Sequence, residues 1–323
     1  MYAADGDRRI FFDVLGAHTG WREGALVERP VIVFVHGGPG FPHLYFRPWI
    51  SQLAKRFCVV VLDLRGSGWS SRHSGSGYPL TGFVDDVELV RRTLGVDQVV
   101  LLGHSFGGPV VMEYALAHPD RVRGLVLACT IHSFSTTRQE AAERPGPLPA
   151  AADLAGLTEL MTELVTAYAS GDAAALEKLD AHPSWDAITA GQFHHPPPAL
   201  WAQVARSSRI GAEAYMSATG AAAMLPDVGS LADWDIRPRL GGIHAPTLVL
   251  AADSPAEYVA RPDAHARVLA DGIPGATLTV EPDVGHYLFA EAPETFARDV
   301  TDFLESAGIT GAYDDQALLA GPR

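Results

Sequence analysis

Ser105 stands at the centre of Gly103-His104-Ser105-Phe106-Gly107, directly after the apolar run Val99-Val100-Leu101-Leu102. Such a run reads as a buried strand, and Pro109-Val110-Val111-Met112-Glu113-Tyr114-Ala115 beyond it continues as a helix. A serine at the apex of so sharp a strand-to-helix turn has its hydroxyl held clear of the sheet. Gly103 and Gly107 keep the turn free of side chains. The helix N-terminus beneath offers backbone N–H groups and a positive dipole end to an anion forming there. The chemistry this suits is nucleophilic attack on a carbonyl. The same five letters also fit an ordinary turn, so the rest of the constellation decides.

A serine hydroxyl is a weak nucleophile and needs a general base. His286 is the candidate, in the loop Asp283-Val284-Gly285-His286. A carboxylate must then orient the imidazole and stabilise its cation. Asp253 lies between serine and histidine, just after an apolar run, and Glu257 is the alternative acid with a longer reach. The order serine, acid, histidine is that of the α/β-hydrolases. Oxyanion donors are expected from the backbone of Phe106 and of Gly37 or Gly38, in His36-Gly37-Gly38-Pro39-Gly40. His104 and His36 read as structural or hydrogen-bonding residues near the site rather than proton carriers.

The elements that position these residues alternate. Strands are expected at Arg9–Leu15, Pro30–Val35, Phe57–Leu62, Val99–Leu102, Val122–Cys129, Pro246–Ala252 and Ala276–Val280. Helices are expected at Trp49–Lys55, Phe83–Leu94, from Ser105 to about His118, Ala264–Leu269 and Glu294–Glu305. Alternation of this kind implies a mostly parallel sheet with helices on both faces. From about Phe134 to Leu240 no buried-strand run occurs. Helical periodicity appears there at Leu154–Tyr168, Ala173–Leu179, Leu200–Ile210 and Ala212–Ala218, with His194-His195-Pro196-Pro197-Pro198 as a stiff surface connector rather than a metal site. The expected organisation is an α/β core over 1–133, an inserted helical cap over 134–240, and the rest of the core over 241–323.

His36-Gly37-Gly38-Pro39-Gly40, Asp63-Leu64-Arg65-Gly66-Ser67-Gly68 and Ser230-Leu231-Ala232-Asp233-Trp234-Asp235 together resemble the prolyl aminopeptidase (proline iminopeptidase) branch of the α/β-hydrolases. The resemblance covers nearly the whole chain. It implies a capped α/β-hydrolase fold that cleaves an amide or ester next to an amino-acid-like acyl group. This chain departs from that branch twice. The family's acid sits in a Gly-x-x-Asp segment, whereas this segment reads Ala252-Asp253-Ser254-Pro255-Ala256-Glu257. The branch also carries a cap glutamate that binds the substrate ammonium. The matching stretch, Gly220-Ala221-Ala222-Ala223-Met224, has no acid, although Glu213 and Asp227 are near in sequence and Glu213 is the candidate substitute. The cap pocket is therefore expected to be more apolar, which leaves room for a larger substrate such as an aminoacylated secondary metabolite.

Composition narrows the classes. The net charge of -14 argues against nucleic acid and against anionic lipid. Met1–Arg9 is too polar for a signal-peptide core, and no apolar run is long enough to span a bilayer. Cys58 and Cys129 lie in apolar strand-like runs and read as buried free thiols of a reducing cytosol. A cytoplasmic serine hydrolase without cofactor or metal is expected, acting on a small-molecule or short peptide-like amide. An esterase or lactonase on a small apolar substrate is the alternative, and a ligand-binding, non-enzymatic α/β-hydrolase is the alternative of another class.

Overall fold

The computed structural model describes residues 1–22, 25–38, 42–47, 49–71, 78–137, 233–254 and 261–310. In chain order the strands are β1 (Tyr2–Asp5), β2 (Arg8–Leu15), β3 (Thr19–Arg22), β4 (Ala25–Glu28), β5 (Val31–Val35), β6 (Cys58–Leu62), β7 (Val99–His104), β8 (Val122–Ala128), β9 (Thr247–Asp253) and β10 (Thr277–Pro282). The α-helices among the described residues are α1 (Leu80–Leu94), α2 (Gly107–Ala117), α3 (Arg267–Gly272), α4 (Leu288–Glu291) and α5 (Pro293–Ser306).

β5, β6 and β7 are buried at every position, which is why they carry apolar residues without alternation. They form the middle of an eight-stranded sheet in the order β1-β2-β6-β5-β7-β8-β9-β10. Within it β1 pairs antiparallel with β2 and β2 antiparallel with β6, and the remaining pairs are parallel. The pleat divides the core in two. Val31, Val33, Val35 and Leu101 face one side, against Phe83 and Val87 of α1, Val111 of α2 and Leu269 of α3. Ile32, Phe34, Val100 and Leu102 face the other, against Leu288 and Phe289 of α4 and Phe296, Val300 and Leu304 of α5. Each such side chain contributes about 1.5–3 kcal/mol when fully buried.

Element ends follow local chemistry. Pro79, extended at φ -68° and ψ 154°, precedes α1, so the helix starts at Leu80, a turn before the expected Phe83. Gly95 at φ 71° ends it in the left-handed conformation, with Arg91 and Arg92 in the last turn beside the negative dipole end. The segment Ile50–Lys55 is a 3-10 helix, and a π turn over Pro262–Ala266 leads into α3. The β3–β4 ribbon was not expected from sequence. It pairs outside the main sheet and leaves Trp21 and Leu26 exposed, so it shows no half-buried alternation. Cys58 and Cys129 are buried and form no disulfide.

The inserted segment leaves and returns at one point. Ser133 and Asp235 form an antiparallel bridge, flanked by Phe134 N–H to Trp234 O at 3.2 Å and Ile236 N–H to His132 O at 3.0 Å. Trp234 Nε1–H donates to Glu113 of α2 at 2.8 Å, and Ile236 and Leu240 are already in the core. The helices expected between Leu154 and Ala218, and the connector at His194–Pro198, lie outside the described residues. Among the described residues no helix is long and apolar enough to cross a membrane.

Candidate active site

In an open parallel sheet, ligands collect at the carboxyl ends of the strands. Here the loop after β5 holds His36, Gly37 and Gly38, the turn after β7 holds Ser105, and Asp253 closes β9. His286 follows β10. Register brings Val35 beside Gly103, His104 beside Ala128, and Pro282 beside Asp253.

Ser105 sits at φ 54°, a left-handed conformation that a residue with a Cβ adopts only under constraint. The constraint is visible. Its N–H donates to Ala128 O at 3.1 Å, and its carbonyl accepts from Thr130 Oγ1 at 2.6 Å and from Gly108 N–H at 3.0 Å. A Cβ on Gly107 would lie 2.2 Å from Val35 O, so no larger residue fits where α2 passes β5. A Cβ on Gly37 would lie 2.8 Å from Ser105 Cβ and 3.3 Å from its Oγ. The loop after β5 thus runs directly against the serine.

His286 is buried, and its ring packs on that of His104 at 4.8 Å between centroids. Its carbonyl accepts a hydrogen bond from His104 Nε2 at 2.9 Å. Gly285 N–H donates to Glu291 Oε1 at 2.8 Å, which closes the loop onto α4. Asp253, the last residue of β9, is exposed. Glu257, Glu213 and the Gly220–Met224 stretch lie outside the described residues.

Phe106 opens the first turn of α2, where backbone N–H groups have no intrahelical acceptor. Gly38 follows Gly37 on the exposed side of its loop. Gly37 N–H donates to Tyr45 Oη at 2.5 Å, so Gly37 contributes clearance for Ser105 rather than a donor. Sequence reasoning singled out both glycines of this loop but not Tyr45. His36 holds the loop from behind: its Nε2 accepts from Leu64 N–H at 3.0 Å, and its Nδ1 donates to Gly37 O at 2.8 Å. Burial lowers the His36 pKa, against the opposing charge of Asp63, and this keeps the ring neutral as those bonds require.

Asp63, fully buried, accepts from His43 N–H at 2.7 Å, His43 Nδ1 at 2.9 Å and Trp69 N–H at 3.0 Å. Burial pushes its pKa up, but the charge and hydrogen bonds of His43, together with His36, pull it below the usual value overall. The buried Arg65–Asp86 pair, bonded at 2.9 Å and 2.7 Å, fixes the next turn. The signal for both was present in Asp63-Leu64-Arg65-Gly66-Ser67-Gly68, whose purpose is to brace the loop beside the serine.

Comparison with known proteins agrees with this fold. The family described as "alpha/beta hydrolase fold" matches residues 30–153. A proline iminopeptidase of Lactobacillus delbrueckii subsp. bulgaricus is 26% identical over 298 residues, covering 88% of this chain and 92% of that protein. The crystal structure of the proline iminopeptidase of Mycobacterium smegmatis superposes with a TM-score of 0.68 at 23% identity, covering 95% of this chain and 98% of that one. Est816, described as an N-acyl homoserine lactone degrading enzyme, gives a TM-score of 0.60 at 25% identity, over 94% of this chain and 100% of its own. The chain has the α/β-hydrolase fold and resembles proline iminopeptidases along most of its length.

Proposed function

We propose that the protein is a serine hydrolase that cleaves the amide bond of an aminoacyl group through an acyl-enzyme. The observation that carries this reading is Ser105 at φ 54° between β7 and α2, held there by Ala128, Thr130 and Gly108. Strain of this kind costs of order 1–3 kcal/mol and persists where the surroundings impose it, commonly at active sites.

In this mechanism Ser105 Oγ adds to the substrate carbonyl carbon as its proton passes to His286. The negative oxygen is received by the N–H groups of Gly38 and Phe106. Collapse breaks the C–N bond, and His286 returns the proton to the leaving amine. Water, deprotonated by His286, then adds to the acyl carbon and releases Ser105. The carboxylate that orients His286 comes from the end of β9 or the segment after it, with Asp253 assigned the role and Glu257 its rival. Asp253 is exposed, which weakens its claim, since an orienting carboxylate acts best out of water. In this reading the segment that leaves the core at Ser133 and returns at Asp235 serves as a cap over the acyl group. Its apolar stretch Gly220–Met224 favours a small-molecule or short peptide-like substrate larger than an N-terminal proline peptide, with Glu213 as the residue to meet an ammonium. The protein works in the cytoplasm.

Aminoacyl p-nitroanilides test the reading against p-nitrophenyl esters of the same acyl groups lacking the amine. Faster turnover of the aminoacyl amides supports it. Turnover of the esters alone transfers the assignment to an esterase or lactonase, a reading favoured by the likeness to Est816. Blocking the substrate amine should lower kcat/KM; equal rates would remove the aminoacyl part of the proposal.

A further inference from the structure

We infer that Tyr45 and His104 are positioning residues that tie the loop beside Ser105 to the loop of His286 through one buried line of hydrogen bonds. The inference rests on the serine-hydrolase reading above. Gly37 N–H and Tyr45 Oη are 2.5 Å apart, Tyr45 Oη and His104 Nδ1 3.0 Å, and His104 Nε2 and His286 O 2.9 Å. Tyr45 and His104 are buried, at 2% and 1% exposure.

The donors and acceptors give the line a direction. A backbone carbonyl has no proton, so His104 Nε2 donates to His286 O. The neutral ring then accepts at Nδ1, and the donor facing it is the Tyr45 hydroxyl. That hydroxyl in turn accepts from Gly37 N–H. With Nε2 donating to His286 O and Nδ1 accepting from the Tyr45 hydroxyl, His104 is the neutral Nε2–H tautomer. Burial, reinforced by the neighbouring His286, lowers the His104 pKa well below its ordinary value, and burial raises that of Tyr45. The line therefore keeps its direction throughout the neutral range.

Its two ends matter to the reaction. At one end the bond fixes the peptide unit before Gly37, and His36 Nδ1 on Gly37 O fixes the unit after it, which carries the Gly38 N–H. At the other it fixes the backbone from which the His286 ring projects. Tyr45 also packs on His104, Phe46, Tyr287 and Phe289, so its ring is held independently of its hydroxyl.

The test compares Tyr45→Phe, His104→Asn and the double variant, with the second-order rate of fluorophosphonate labelling of Ser105 as readout. Tyr45→Phe keeps the ring and removes the hydroxyl. His104→Asn retains an acceptor near the Nδ1 position and removes the donor to His286 O. We expect full eventual labelling of the folded protein at about a tenth to a hundredth of the wild-type rate in each single variant, as for sub-ångström to ångström misplacement of reacting groups. In hydrolysis the loss should fall on kcat, with KM within about threefold of wild type. The double variant should be no slower than the worse single variant by more than about threefold, because both cut one line. Wild-type rates in either folded single variant, or losses that multiply in the double, overturn the inference. If one variant does not fold, the other single variant decides by the same rate criterion. A wild-type protein that is not labelled at all refutes the serine-hydrolase reading itself, an outcome distinct from equal labelling of wild type and variants.

Discussion

His104 Nε2 donates to the carbonyl of His286 across 2.9 Å, although the two residues are 182 positions apart in the chain. Through this bond the turn that carries Ser105 and the loop that carries His286 become neighbours with a fixed separation. The remaining elements at this edge of the sheet serve the same end: Asp63 braces His43, His36 braces Gly37, and Thr130 holds the Ser105 carbonyl.

In the proposed mechanism the left-handed backbone at Ser105 is a stability cost that activity requires. Ser105→Gly should raise stability by about 1 kcal/mol, because glycine adopts this conformation without a Cβ clash. Thermal unfolding measures it, and hydrolysis should fall at least about a thousandfold in the same variant. A lower Tm would contradict the strain assigned to this residue.

Gly37→Ala places a methyl where the distance to Ser105 Cβ is 2.8 Å. Since Gly37 also bonds Tyr45, the loop cannot retreat without breaking that bond. Steady-state kinetics should show kcat reduced by about a hundredfold or more with KM much less affected. Unchanged kcat would mean that the loop gives way freely.

The orienting carboxylate is separable by two variants. Asp253→Asn should lower kcat by roughly 10²–10⁴, as loss of an orienting aspartate does in comparable sites, while Glu257→Gln stays within a few-fold of wild type. The reverse result moves the role to Glu257.

Glu281 on β10 has its pKa raised to about 7, chiefly by burial and then by a shared hydrogen bond and like charge with Asp299. The folded state binds this proton more tightly than the unfolded chain does. Its favourable contribution is therefore complete below the ordinary carboxylate range and is lost as pH rises through about 7. Glu281→Gln should be more stable than wild type at pH 8, by no more than about 1 kcal/mol because solvent screens a partly exposed pair. The difference should nearly vanish at about pH 4, below the ordinary carboxylate value. Parallel Tm-versus-pH curves for the two proteins would contradict the assignment.

The fold was legible where burial forces a pattern. Val31–Val35 and Val99–Leu102 had to be central strands because nothing in them could face water, and Gly95 and Pro119 mark helix ends by their backbone geometry alone. The turn at Ser105 between β7 and α2 was legible because its corners, Gly103 and Gly107, leave no room for a larger residue. The β3–β4 ribbon was not, since a two-stranded exposed pair buries neither face. Tyr45 was not legible either. Its partner His104 is 59 positions away, and only the pairing of β5 with β7 brings the loops together. The exposure of Asp253 likewise depends on where β9 ends against β10, a register that composition does not encode.

Intact-protein mass spectrometry after treatment with a fluorophosphonate, followed by peptide mapping, tests the central claim most directly. The account predicts a single adduct, on Ser105, that is absent from Ser105→Ala. No adduct on the folded wild-type protein, or an adduct on a different residue that persists in Ser105→Ala, would contradict it.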